Sequence, residues 1–135
     1  MIRRVLKVSD SLQMDCYNIA NSSVGDADMI YYTIREQVNN DGYVLFVSEE
    51  NSYMRGFVLG HQERDLGRVD RLYVDKRYHR QGIGTSLLKA YEIYAKEQGA
   101  KRVVLCSRAS VQAKNFYEKN GYLRIAKDRF MGKNL

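Results

Sequence analysis

The chain has 135 residues, 44% of them hydrophobic and 28% charged, with ten glycines, two cysteines and no proline. That length suits one domain, residues 1–135, with a core of its own, and the composition excludes disorder, fibrous repeats and a disulfide framework. A formal net charge of +6 points to a phosphate-bearing or acidic partner, with nucleic acid and a phosphorylated cofactor as the two candidates.

The longest apolar run, YVLFV at residues 43–47, is too short to cross a bilayer, and MIRRVLKVSDSLQ contains no continuous apolar segment. Neither secretion nor a membrane partner is therefore expected, and the location is read as cytoplasmic. Cys16 and Cys106 belong to no CxxC pattern, which fits small apolar residues in a reducing compartment.

Residues 1–7 alternate and read as a first strand. Ser9 or Asp10 can cap a helix running to about Asn21, with Leu12, Cys16, Ile19 and Ala20 on one face. Gly25 and Asp26 interrupt it. A second helix is expected over residues 27–38, stopped by the NNDG turn at 39–42. Strands follow at 43–48, 54–61 and 67–74, joined by the polar turns EENS and QERDLG, an antiparallel meander. A helix over 82–98 carries an apolar stripe of Ile83, Leu87, Tyr91 and Tyr94 and ends at Gly99. Residues 102–107 (RVVLCS) form the next strand, in the parallel crossover position. Ser110 can cap a helix to Lys119, closed by Asn120-Gly121, and two last strands are expected at 122–127 and 129–133. The pattern β-α-α-β-β-β-α-β-α-β-β is that of a mixed α/β domain: a central twisted sheet of about seven strands flanked by about four helices.

The chemistry concentrates in DKRYHRQGIGTSLL, residues 75–88. A dinucleotide fingerprint would need a third glycine where Leu87 stands, and no glycine is followed by Lys and then Ser or Thr, as a P-loop requires. What remains is a helix N-terminus. Its first amides lack intrahelical partners, and Gly82 and Gly84 would let an anion approach them. Lys76, Arg77 and Arg80 add mobile charges around that point, a combination suited to a diphosphate.

Here the sequence resembles the GNAT superfamily of acyl-CoA-dependent N-acyltransferases. LYVDKRYHRQGIGTSLL is similar to the family's strand leading into a Q/R-x-x-G-x-G/A loop, and SVQAKNFYEKNGY (110–122) to its second signature. His79, Lys76 and Ser110 stand where the family often has Arg or Gln, Pro, and Asn. The element order agrees over nearly the whole chain.

The resemblance implies acetyl-CoA as co-substrate, without a metal, and a small-molecule or peptide amine as acceptor. It implies that Leu72, Tyr73 and Val74 lie on a bulged strand that pairs with the pantetheine arm, and that one of their N–H groups faces the oxyanion. Arg80, Gln81, Gly82, Ile83, Gly84 and Thr85 would hold the diphosphate. Ser110 and Lys114 would complete the cofactor site, and Tyr117 would protonate the departing thiolate.

For the base, Asp70, Glu63, Asp65 and His61 are candidates beside a water relay. Asp70 leads, because two-residue alternation would set it on the same face as Leu72 and Val74. Acceptor specificity is expected from the N-terminal helices and the turn after strand 54–61, where Tyr31, Tyr32 and Arg35 could line a pocket or simply pack.

Two other functions compete: a non-catalytic acyl-CoA-binding module of the same fold, and a nucleic-acid-binding domain using Arg3, Arg4, Arg68, Arg71 and DKRYHR. No helix-turn-helix, zinc or RNP-type pattern supports the second. Family members are often dimers, so a homodimer is an expected assembly.

Overall fold

In the computed structural model, residues 1–24, 28–106, 111–125 and 130–135 are described, with the backbone alone for 23–24, 28–33 and 111–112. These residues form β1 (Ile2–Val5), α1 (Asp10–Val24), α2 (Asp28–Asn40), β2 (Val44–Glu50), β3 (Tyr53–Glu63) and β4 (Leu66–Val74). A 3-10 turn (Lys76–Tyr78), α3 (Ile83–Glu97), β5 (Arg102–Cys106), α4 (Val111–Lys119), β6 (Leu123–Arg124) and β7 (Phe130–Asn134) follow. The strands make one sheet in the order β1-β2-β3-β4-β5-β7-β6. Its only parallel pair among the described residues is β4 with β5, the two strands joined by α3.

The expected element order holds, and the boundaries move by a few residues where tertiary contacts intervene. Ser9 caps α1, its hydroxyl accepting from the Leu12 amide at 3.1 Å. Helix α2 runs two residues past Val38, because Asn39 is held by the loop before α1: it accepts from the Val8 amide at 2.8 Å and donates to the Val8 carbonyl at 3.1 Å. Gly42, at φ +77°, then turns the chain into β2. Helices α3 and α4 stop at Gly99 and Gly121, whose φ of +93° and +91° lies in the left-handed region. The Ala100 amide closes the first stop on the Ala95 carbonyl at 2.9 Å.

Apolar side chains cover both faces of the sheet. On one face Val5, Leu45, Val47, Phe57 and Leu59 pack with Cys16, Ile19 and Ala20 of α1 and Ile34 and Val38 of α2. On the other, Val44, Val58, Val69, Val103 and Leu105 pack with Ile83, Leu87, Leu88, Tyr91 and Ala95 of α3. Strands buried on both sides explain why YVLFV and RVVLC read as continuous apolar runs.

The alternation in β4 changes phase part-way along. Val69 and Leu72 belong to the α3 face although they lie three positions apart, and Tyr73 packs on the α1/α2 face against Phe57. The register gives the cause: Leu59 pairs with Arg71 and Gly60 with Val69, so Asp70 is the extra residue of a β-bulge.

Candidate active site

The bulge lies where β4 parts from β5. The two strands pair only from Leu66–Arg102 to Val69–Leu105, while β4 continues along β3 to the Gly56–Val74 pair. Past Asp70, then, β4 runs on without pairing to β5 among the described residues. Leu72, Tyr73 and Val74 all belong to this opened stretch.

Immediately beyond it the chain is locked into a loop. Asp75 is buried, and its Oδ1 accepts from the Arg77 amide at 3.0 Å and from Arg77 Nε at 3.2 Å; its Oδ2 accepts from Arg77 Nη2 at 2.8 Å. These bonds hold the Asp75 carboxyl below the usual carboxylate range. Arg77, expected as a mobile charge, is thus tied to Asp75 while its side chain stays exposed, and Lys76 and Arg80 are exposed beside it. His79 Nε2 donates to the Val74 carbonyl at 2.8 Å, closing the loop onto the end of β4.

Arg80 and Gly82 both have positive φ, +64° and +77°, and the double turn aims the chain into α3. The first intrahelical bond runs from the Ser86 amide to the Gly82 carbonyl at 3.0 Å. The amides of Ile83, Gly84 and Thr85 therefore form the unpaired rim of α3. Gln81 and Gly82 are exposed, whereas the Ile83 side chain is buried, so only its backbone can meet a ligand.

The two glycines have different jobs. Around Gly82 a Cβ would meet nothing within 4 Å, so this position needs glycine for its conformation. At Gly84 a Cβ would lie 3.2 Å from the Phe116 ring. That contact joins the glycine loop to NFYEKNGY, two motifs separated in sequence by all of β5.

Tyr117 is half-buried on the α3 face, packed edge-on against Tyr122 at 5.9 Å between ring centroids. Burial, and then the neighbouring Tyr73 of the opened stretch, push its phenol up to about 12. It therefore keeps its proton at neutral pH. Lys114 is exposed on the same helix, and Ser110 lies outside the described residues.

The base candidates converge on the opposite face, contrary to the expectation for Asp70. The bulge breaks two-residue alternation, so Asp70 does not share the face of Leu72 and Val74. Instead its Oδ2 lies 2.6 Å from His61 Nδ1, and the His61 ring stacks on Tyr43 at 4.5 Å, beside the α1/α2 core. His61 Nε2 lies 2.9 Å from Glu63 Oε1, which also makes a 2.7 Å charge contact with Arg68 Nε. Burial raises the Asp70 carboxyl, with His61 and then Arg71 and Arg68 acting against it. Glu63 is shifted the other way, first by His61 and then by Arg68. Asp65 is exposed in the turn between β3 and β4, where its backbone carbonyl accepts from the Lys101 amide at 2.7 Å.

Glycine makes this convergence possible. A Cβ on Gly60 would sit 2.4 Å from Tyr91 Cε1, and one on Gly67 would sit 3.1 Å from Tyr91 Oη. The Tyr91 ring fills that space, and its hydroxyl donates to the His61 carbonyl at 2.9 Å.

Of the residues named for acceptor specificity, Arg35 is engaged with Asp10 and Glu36. The Tyr31 and Tyr32 side chains lie outside the described residues. Several arginines of the nucleic-acid reading are likewise engaged: Arg3 pairs with Glu49, Arg68 contacts Glu63, and Arg4 lies over the Tyr94 ring at 4.7 Å. Among the described residues no cluster of His, Cys, Asp and Glu could hold a metal ion, and no helix is long and apolar enough to cross a membrane.

The fold is thus a mixed α/β sheet opened at a bulged strand, with a helix N-terminus just beyond that strand's end. The model of the acetyltransferase (GNAT) domain matches residues 22–135, and the chain belongs to this family. A Bacillus subtilis (strain 168) protein named as an acetyltransferase is 36% identical over 74 residues, 55% of this chain and 46% of that protein. The match thus spans about half that relative's length. The PaiA N-acetyltransferase of Thermoplasma acidophilum, solved with coenzyme A, superposes with a TM-score of 0.76 at 21% identity, covering 100% of this chain and 99% of that one. The ribosomal-protein-S18-alanine N-acetyltransferase of Escherichia coli gives 0.81 at 18% identity, covering 99% and 94%. At these identities the structural likeness establishes the fold.

Proposed function

We propose that this protein, as a single domain, transfers an acetyl group from acetyl-CoA to a primary amine of a small molecule or peptide, by direct attack in a ternary complex. The observation that carries this reading is the bulge at Asp70. It sits where the β4–β5 pairing ends and turns a carboxylate toward His61.

The parts fit coenzyme A. The stretch of Leu72, Tyr73 and Val74 beyond the end of the β4–β5 pairing suits the amides of a pantetheine arm, and the rim amides of Ile83, Gly84 and Thr85, with Arg80, Gln81 and Gly82, suit its diphosphate. Lys114, and Ser110 by family likeness, complete the cofactor site. When bound, the thioester supplies the activated acyl group. An N–H of β4 meets the oxyanion, Asp70 takes the proton of the attacking amine, and Tyr117 gives one to the thiolate. Protons balance: one leaves Asp70 to solvent and one returns to Tyr117.

Cytoplasmic location and a homodimer belong to the same proposal. Thiol release from acetyl-CoA with a panel of polyamines, aminoglycosides, amino acids and peptides tests it. Amine-dependent release is expected. Binding of acetyl-CoA without release on the whole panel would replace this reading with that of a regulatory acyl-CoA-binding module.

A further inference from the structure

We propose that His61 is a positioning residue for the base: held by Glu63 and Tyr43, its imidazole fixes one oxygen of Asp70 and leaves the other to receive the amine proton. This rests on the acetyltransferase reading above. Three contacts define the ring. Nδ1 meets Asp70 Oδ2 at 2.6 Å, Nε2 meets Glu63 Oε1 at 2.9 Å, and the Tyr43 ring stacks at 4.5 Å with an interplanar angle of 25°. A flip of the ring would forfeit both nitrogen contacts, and a tilt out of its plane the stacking as well. Tyr91 holds the His61 backbone from the other side of the sheet.

The arrangement addresses a specific difficulty. Asp70 is a bulge residue, and a short carboxylate on an irregular strand needs an external contact to fix its oxygens. His61 supplies that contact from β3. The nitrogen that faces Asp70 is Nδ1, and its N–H is the group that can donate to the carboxylate.

The contact also adjusts the base. The charged and titratable groups acting on Asp70 are His61 of β3 and Arg68 and Arg71 of β4, while Tyr43 before β2 and Tyr91 of α3 feel its charge in turn. Burial makes Asp70 a stronger base than an exposed aspartate, and His61 is the first of the groups that oppose this. Removal of His61 should therefore move the acid limb of the activity profile to higher pH.

The test is kcat/KM against pH for wild type, His61→Ala, His61→Gln and Glu63→Gln, with acetyl-CoA affinity measured in parallel. For His61→Ala the expected loss is on the order of tenfold near neutrality. It should shrink at alkaline pH with cofactor affinity unchanged. His61→Gln, which keeps an amide donor, should lose less, and Glu63→Gln least. A limb that stays in place in both His61 variants, or an equal loss at every pH, would overturn the assignment and leave His61 a packing residue. Wild type releasing thiol with no amine would instead remove the acetyltransferase reading itself, and the positioning role with it.

Discussion

The two ends of the candidate site are built in different ways. The cofactor end is made of backbone: a left-handed glycine, a helix rim and a loop tied by Asp75 to Arg77 two residues on. The chemical end is made of side chains from separate strands, brought together by a single bulge. A local backbone device leaves a local sequence pattern, whereas a convergence of strands leaves almost none.

The sharpest way to separate the two ends is Asp70→Asn. It should lower kcat/KM by on the order of a hundredfold or more without changing acetyl-CoA affinity. The same variant carries a stability prediction. Because burial raises the Asp70 carboxyl in the fold, its charged form costs stability at neutral pH, and that cost vanishes as pH falls and the group protonates. Asp70→Asn should therefore melt higher than wild type at pH 7, with the difference closing toward acid pH. A lower melting point at pH 7 would mean that the His61 contact outweighs burial.

Tyr117→Phe acts at the meeting of the two ends. Turnover should fall by about a hundredfold with cofactor affinity nearly constant. Unchanged turnover would remove Tyr117 from the mechanism.

Gly60→Ala challenges the scaffold under the chemical end. The added Cβ would lie 2.5 Å from the Arg68 carbonyl as well as against Tyr91, and backbone cannot step aside cheaply. A loss of about 2–3 kcal/mol in denaturant unfolding is expected. The smallest effect belongs to Gly82→Ala, where the surroundings are open and only the left-handed backbone objects, at about 1–2 kcal/mol. Its damage should fall on acetyl-CoA affinity.

The same contrast explains what could be read from sequence. The element order, the parallel crossover and the helix rim at Gly82 were all legible, because periodicity, caps and glycines are local signals. Asp70 was assigned to the wrong face, since alternation is blind to an inserted residue. The parity of Val69 and Leu72, both apolar and three apart, was the one available hint. Arg77 was misread for a similar reason: a basic run looks mobile until Asp75 at its head is seen to be buried. The contact of Gly84 with Phe116 left no local trace in either motif.

The central claim is that the opened end of β4 and the rim of α3 hold acetyl-CoA, and calorimetric titration tests it most directly. The account predicts saturable binding near one cofactor per chain, equal for wild type and Asp70→Asn and weaker for Gly82→Ala. Absence of saturable binding to wild type, or affinity that Asp70→Asn abolishes and Gly82→Ala spares, would contradict it.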